Sequence, residues 1–150
     1  MVIVKEKITT ILNELEHIRD QNNGVLYPDK VVEFAENPDT LLHNKFEWDD
    51  GKASHAYRLW QARQVIKLTV VIIPHNNEPI QAYVSLTTNR REEGGYHHIT
   101  EVLSDKELYQ QMLQDALYAY KSLYKKYKNL KELDPIFQAE KEVREKLKII

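Results

Sequence analysis

The hydrophobic period changes twice along this chain, and those changes decide what it can fold into. In the first third the apolar residues keep helical spacing: Ile8, Ile11, Leu12, Leu15 and Ile18 form an i, i+3, i+4, i+7 stripe over residues 5–20. Residues 66–73 (IKLTVVII) and 80–86 (IQAYVSL) are instead β-branched and aromatic, and the second run alternates. Beyond residue 104 helical spacing returns and holds almost to the end. Helices at both ends and a few strands between them make an α+β fold.

Three helices are predicted ahead of the strands. The first stops at Asn22-Asn23-Gly24, residues that tolerate a left-handed backbone. A short second helix opens at Pro28, a favoured first-turn residue, and closes at Asn37-Pro38. Residues 38–48 are irregular but carry Leu41, Leu42, Phe46 and Trp48, so they should pack down. Asp49 or Asp50 is read as the cap of a third helix, which ends near Ile66 and gathers Ala53, Ala56, Tyr57, Trp60 and Gln64 on one face.

The two strand-like runs flank PHNNEP and read as an antiparallel hairpin. Ile80, Ala82, Val84 and Leu86 should lie on its buried face, with Gln81, Tyr83 and Ser85 on the wetter one. Two strands alone are marginal, so a short third strand over 98–102, or strands of a second copy, should extend the ribbon. Ser104-x-x-Glu107 has the form of a capping box. It precedes a helix reaching about residue 130, and Asp134-Pro135 opens a last helix, giving a long C-terminal helical hairpin. No repeat or linker divides the chain, so residues 1–150 are read as a single domain.

Several function classes are disfavoured. The chain has no cysteine, which removes disulfides, cysteine-based zinc sites and thiol catalysis. Charges follow directly after Val4 and no apolar run approaches the roughly 20 residues of a membrane span. A cytoplasmic protein without a membrane partner is expected. A net charge of −2 and a pI of about 6.3 argue against a DNA-coating protein. No H-x-H, H-x-x-x-H or H-E-x-x-H spacing occurs, so neither metal nor cofactor is expected. G-x-S-x-G, P-loop and G-x-G-x-x-G patterns are absent too. His98-Ile99-Thr100 has the H-x-T form of two-histidine phosphoesterases, but those need two copies and the chain has one. No enzymatic activity is therefore expected.

Binding chemistry concentrates between residues 87 and 98. Asn89, Arg90, Arg91, Tyr96 and His98 surround Gly94-Gly95. Guanidinium groups grip phosphate or carboxylate bidentately, and glycine lets a backbone approach a ligand. Successive side chains of an extended segment alternate, so Arg90 rather than Arg91 is favoured for contact. The competing reading is an ordinary turn whose arginines pair with Glu92 and Glu93. Arg58, beside Tyr57 and Trp60, is a further candidate to join the site, or else lies over those rings. The stretch 118–131 holds Lys121, Lys125, Lys126, Lys128 and Lys131 and no acid; it is either a nucleic-acid track or a solvated face over core tyrosines. Three helices followed by a hairpin is also winged-helix order, although Asp49-Asp50 at the base-reading end would face phosphates.

The segments Leu42 to Asp50 (LHNKFEWDD), Tyr57 to Arg63 (YRLWQAR) and Val84 to Asp105 (VSLTTNRREEGGYHHITEVLSD) together resemble a family of short phage and prophage proteins. The resemblance covers about residues 28–137. It departs from the family pattern at His97, where a basic residue such as arginine is expected. It implies a phage accessory protein acting in the host cytoplasm. The favoured role is non-enzymatic counter-defence: sequestering a small nucleotide-derived anion, in a homo-oligomer. The alternatives are a DNA-binding, transcription or recombination accessory module, and an inhibitor that binds a host protein.

Overall fold

A computed structural model of the chain describes residues 10–50, 54–74, 76–87 and 94–148. The fold is α+β, and the chain divides into two compact units, Met1–Val102 and Leu103–Ile150.

In the first unit, α1 (Ile11–Gln21) is capped by Thr10, whose hydroxyl oxygen accepts the Asn13 N–H at 3.1 Å. It ends where expected: Asn23 and Gly24 have φ of 57° and 81°, and the Gly24 N–H returns to the Arg19 carbonyl at 3.0 Å. Leu15 and Ile18 face inward against α2 (Pro28–Ala35), which buries Val31, Val32 and Ala35. The irregular segment after α2 does pack down. It makes a 3-10 turn at Leu42–Lys45, its Trp48 indole stacks on His43 with centroids 5.0 Å apart, and the Trp48 Nε1–H donates to the His43 carbonyl at 2.8 Å.

One α1 residue contradicts simple amphipathicity. Glu14 is buried, and its two carboxylate oxygens accept the Leu41 and Leu42 N–H groups at 2.8 and 2.9 Å. Those amides open the 3-10 turn and have no helical partner of their own, so the carboxylate satisfies them and ties the segment to α1.

Helix α3 spans His55–Leu68 and is capped by Ser54, not by Asp49 or Asp50; the Ser54 hydroxyl accepts the Tyr57 N–H at 3.4 Å. Its buried face also differs from the sequence reading. Ala62 and Ile66 enter the core with Leu59 and Val65 against it, while Tyr57 and Trp60 stack on each other in the open, centroids 5.7 Å apart. Apolar residues lie all round this helix, so tertiary packing rather than periodicity selects the inward face. Ala53 falls outside the described residues.

Strand β1 (Val70–Ile73) pairs antiparallel with β2 (Asn76–Gln81), as the hairpin reading required, although α3 takes residues 66–68 and β2 takes most of the expected loop. The alternation of residues 80–86 does not persist. At Ala82 the chain leaves β2, and β3 (Tyr83–Val84) pairs instead with β4 (His97–His98), with Tyr83 opposite His98. Ala82 and Tyr83 are consecutive and both fully buried, so Tyr83 does not lie on a wet face. The third strand expected over 98–102 does not form: β4 ends at His98 and lies in a two-stranded sheet of its own with β3, separate from the β1–β2 ribbon, and residues Ile99–Ser104 are α4.

Gly94 and Gly95 precede β4. Gly94 takes φ 69°, the left-handed region. Gly95 serves close packing: a Cβ there would lie 2.5 Å from Val25 Cγ1 and 3.0 Å from Tyr27 Cε1. The space is filled by the protein's own side chains, not left for a ligand to approach, which corrects the role given to this glycine. The adjacent Tyr96 exchanges both backbone hydrogen bonds with Leu26, at 2.7 and 2.8 Å. Gly95→Ala should therefore push β4 off the 25–27 segment and cost about 1–3 kcal/mol in urea unfolding, whereas Gly94→Ala should act only through its backbone angle.

The second unit is a helical hairpin. Asp105 caps α5 (Lys106–Tyr127), one carboxylate oxygen accepting the Glu107 and Leu108 N–H groups at 3.0 Å each. Ser104 closes α4 instead of forming a capping box. A 3-10 turn at Lys131–Leu133 leads into α6 (Asp134–Lys146), with Pro135 in its first turn. The Tyr124 and Phe137 rings meet edge to face at 5.3 Å.

Candidate functional site

The first rung of β3 and β4 brings two polar aromatic side chains together. The Tyr83 and His98 rings are perpendicular, centroids 5.2 Å apart. Tyr83 is fully buried and His98 is 5% exposed. The Thr100 N–H donates to His98 Nδ1 at 3.2 Å, and the Thr100 hydroxyl lies 2.7 Å from the same nitrogen. An Nδ1 that accepts a backbone N–H leaves the ring proton on Nε2. That nitrogen lies 3.5 Å from Glu16 Oε1, a long contact to a carboxylate that favours the charged ring. The Tyr83 hydroxyl has no hydrogen-bond partner among the described residues.

Helix α1 supplies the charges around this pair. Glu16, Arg19 and Asp20 act electrostatically on the Tyr83 hydroxyl, and Glu16 and Arg19 on His98. The Arg19 guanidinium is held by Asp20, its Nε and one terminal nitrogen lying 3.2 and 3.0 Å from Oδ1. Burial pushes the Tyr83 hydroxyl far above the ordinary tyrosine range, so it keeps its proton. Burial, reinforced by the Arg19 charge, pulls His98 below its ordinary 6.5, against the opposing pull of Glu16 and Glu101. At neutral pH the cluster therefore presents two neutral, buried hydrogen-bond donors in the field of the Arg19–Asp20 pair and of Glu16.

The His98 shift has a consequence for stability. The unfolded chain takes up a proton at 6.5 that the folded chain resists, so folding stability is intact above that pH and declines as pH falls below it. Urea unfolding followed from pH 7.5 to 5 should show that decline, and His98→Gln should flatten it.

Of the residues singled out from sequence, Tyr96 and His98 flank His97 in and beside β4, with Tyr96 bridging to Leu26. Asn89, Arg90 and Arg91 lie outside the described residues; the segment carrying them leaves and re-enters the strand pair at the Val84–His97 rung. Arg58 does not join the cluster. Its guanidinium bonds Asp50 at 3.0 Å and the Glu47 carbonyl at 3.4 Å, and sits 5.7 Å from the Trp48 ring centroid. It precedes Thr69, where Ala82 attaches to the end of α3, by roughly 16 Å of helix rise. The sequence reading missed Tyr83, Glu16 and Arg19.

The other candidates stand differently. The lysines of 118–131 are solvent-exposed, but Tyr118, Tyr120 and Tyr124 are exposed with them, so there is no tyrosine core beneath. No group of three or more metal-ligating side chains converges among the described residues. No helix among them is long and apolar enough to cross a membrane. No family model, curated protein or solved structure matches the chain.

Proposed function

We propose that this protein binds a small nucleotide-derived anion without turning it over, using the cluster formed by Tyr83, His98 and Arg19. The observation carrying this reading is the buried Tyr83 Oη, which has no hydrogen-bond partner among the described residues, against a neutral His98 whose Nε2 makes only a long contact to Glu16 among those residues, with the Arg19 charge acting on both. Leaving a polar group buried and unsatisfied costs stability, and such groups in folded proteins mark ligand, water or ion positions. Two neutral donors next to a positive charge suit a phosphate or carboxylate oxygen. Arg90, favoured by the sequence, is proposed as a second cation for the same ligand; the segment bearing it connects β3 to β4. The absence of any spaced catalytic set in the sequence favours sequestration over chemistry. In a phage setting that role is counter-defence.

Duplex DNA binding is the weaker reading. The winged-helix order is preserved, but Arg58 near the start of α3 is engaged by Asp50 rather than open to phosphate.

Calorimetry against linear and cyclic nucleotides and ADP-ribose derivatives tests the proposal. One of them should bind. Arg19→Ala should weaken it roughly tenfold to a hundredfold, the worth of a charge-assisted contact, and Arg90→Ala should weaken it comparably. Absence of binding across the panel, or affinities unchanged in both variants, overturns the reading.

A further inference from the structure

The C-terminal hairpin is short of a core. Between Leu103 and Lys148, Leu117 is the one buried hydrophobic residue among those described. Yet α5 carries a continuous apolar stripe at helical spacing: Tyr109, Met112, Leu113, Ala116, Tyr120 and Leu123. Helix α6 and its C-cap carry a second one at Ile136, Val143 and Leu147. Tyr109, Tyr120 and Leu123, with these three residues, are each between 43% and 50% exposed. Two helices with this much uncovered apolar surface are an unfinished layer.

We infer that the hairpin is completed by a second copy of this chain, α5 against α5 in antiparallel orientation, making a four-helix arrangement. Charge distribution selects both partner and direction. Residues 116–131 hold five lysines and no acid, whereas residues 105–115 hold Asp105, Glu107 and Asp115 against one lysine, Lys106. Parallel pairing would set lysine against lysine. Antiparallel pairing sets the basic half of each α5 along the acidic half of the other.

The stripe itself fits a two-fold axis between Ala116 and Tyr120. Small Ala116 then meets large Tyr120, Leu113 meets Leu123, and Tyr109 meets Tyr127. Half-open side chains of this size leave roughly 500 Å² of apolar surface per copy. A standard interface buries roughly 800 Å² per partner, and the flanking lysine and glutamine stems supply the difference.

Sedimentation of the full chain at micromolar concentration should give twice 17.8 kDa. Leu123→Glu and Tyr120→Glu, both at exposed positions, should return the monomer mass with unchanged helical circular dichroism. Because the chain lacks cysteine, introduced thiols report direction cleanly. A mixture of Leu113→Cys and Leu123→Cys chains should cross-link on oxidation, while Leu123→Cys alone should not. A monomeric wild-type chain, a dimer unaffected by both glutamate substitutions, or efficient self-cross-linking of Leu123→Cys would each overturn the inference.

Discussion

Glu14→Ala should destabilise the protein by about 3–5 kcal/mol, one of the largest effects expected of any substitution in the chain. The loss is not that of an exposed charge. Glu14 is buried on the apolar side of α1, where both carboxylate oxygens are occupied by the Leu41 and Leu42 N–H groups. Removing the carboxylate leaves the buried Leu42 donor and the part-buried Leu41 donor with nothing to replace it. In a domain of this length such a loss lowers the melting temperature by about 10 °C. Glu14→Gln should recover part of it, since the amide keeps one acceptor oxygen but turns a donor toward the other N–H. Thermal and urea unfolding of the three proteins check this. A loss below about 1 kcal/mol in the alanine variant would mean that the 41–42 amides find other partners.

Tyr83→Phe should move stability and ligand affinity in opposite directions. The hydroxyl is buried without a hydrogen-bond partner among the described residues, so deleting one oxygen removes a desolvation cost and keeps the ring packing on His98. The free protein should gain about 1–3 kcal/mol. Ligand binding should weaken roughly threefold to tenfold, the worth of a neutral hydrogen bond. A stability gain paired with a binding loss is the signature of a group kept for function. If Tyr83→Phe destabilises the free protein, the hydroxyl is satisfied without ligand and belongs to the core.

The helices were the most legible part of the sequence because their signals are local. The stripe through Leu15 and Ile18, the Asn23-Gly24 stop and Pro28 each act within a turn or two of themselves. Even buried Glu14 left a trace: it falls on the apolar stripe, three residues after Ile11 and four before Ile18, where an acid needs partners. The α3 face and the site were less legible because they are decided by distant residues. Tyr57 and Trp60 look like core by residue type, yet Ala62 and Ile66 are what α1 and α2 leave room for. Tyr83 was placed on the wet face by an alternation that fails at Ala82, where the strand exchanges β2's ladder for β4's. His98 was visible as chemistry, but its neighbours Glu16 and Arg19 lie some eighty residues earlier, and nothing in their spacing announces the meeting. Gly95 looked like a ligand-facing glycine because the Val25 and Tyr27 side chains that need its missing Cβ are equally remote.

If Tyr83 and His98 hold a small anion, nitrogen NMR of His98 reports it without an indirect readout. In the free protein at neutral pH, long-range ¹H–¹⁵N correlations should show the neutral ring protonated on Nε2, as the Thr100 N–H donating to Nδ1 requires. Titration with whichever nucleotide binds by calorimetry should shift the His98 Nε2 signal in step with occupancy, and the shift should shrink in Tyr83→Phe. A saturating ligand that leaves His98 unmoved, or a free-state ring protonated on Nδ1, would rule out this role for His98.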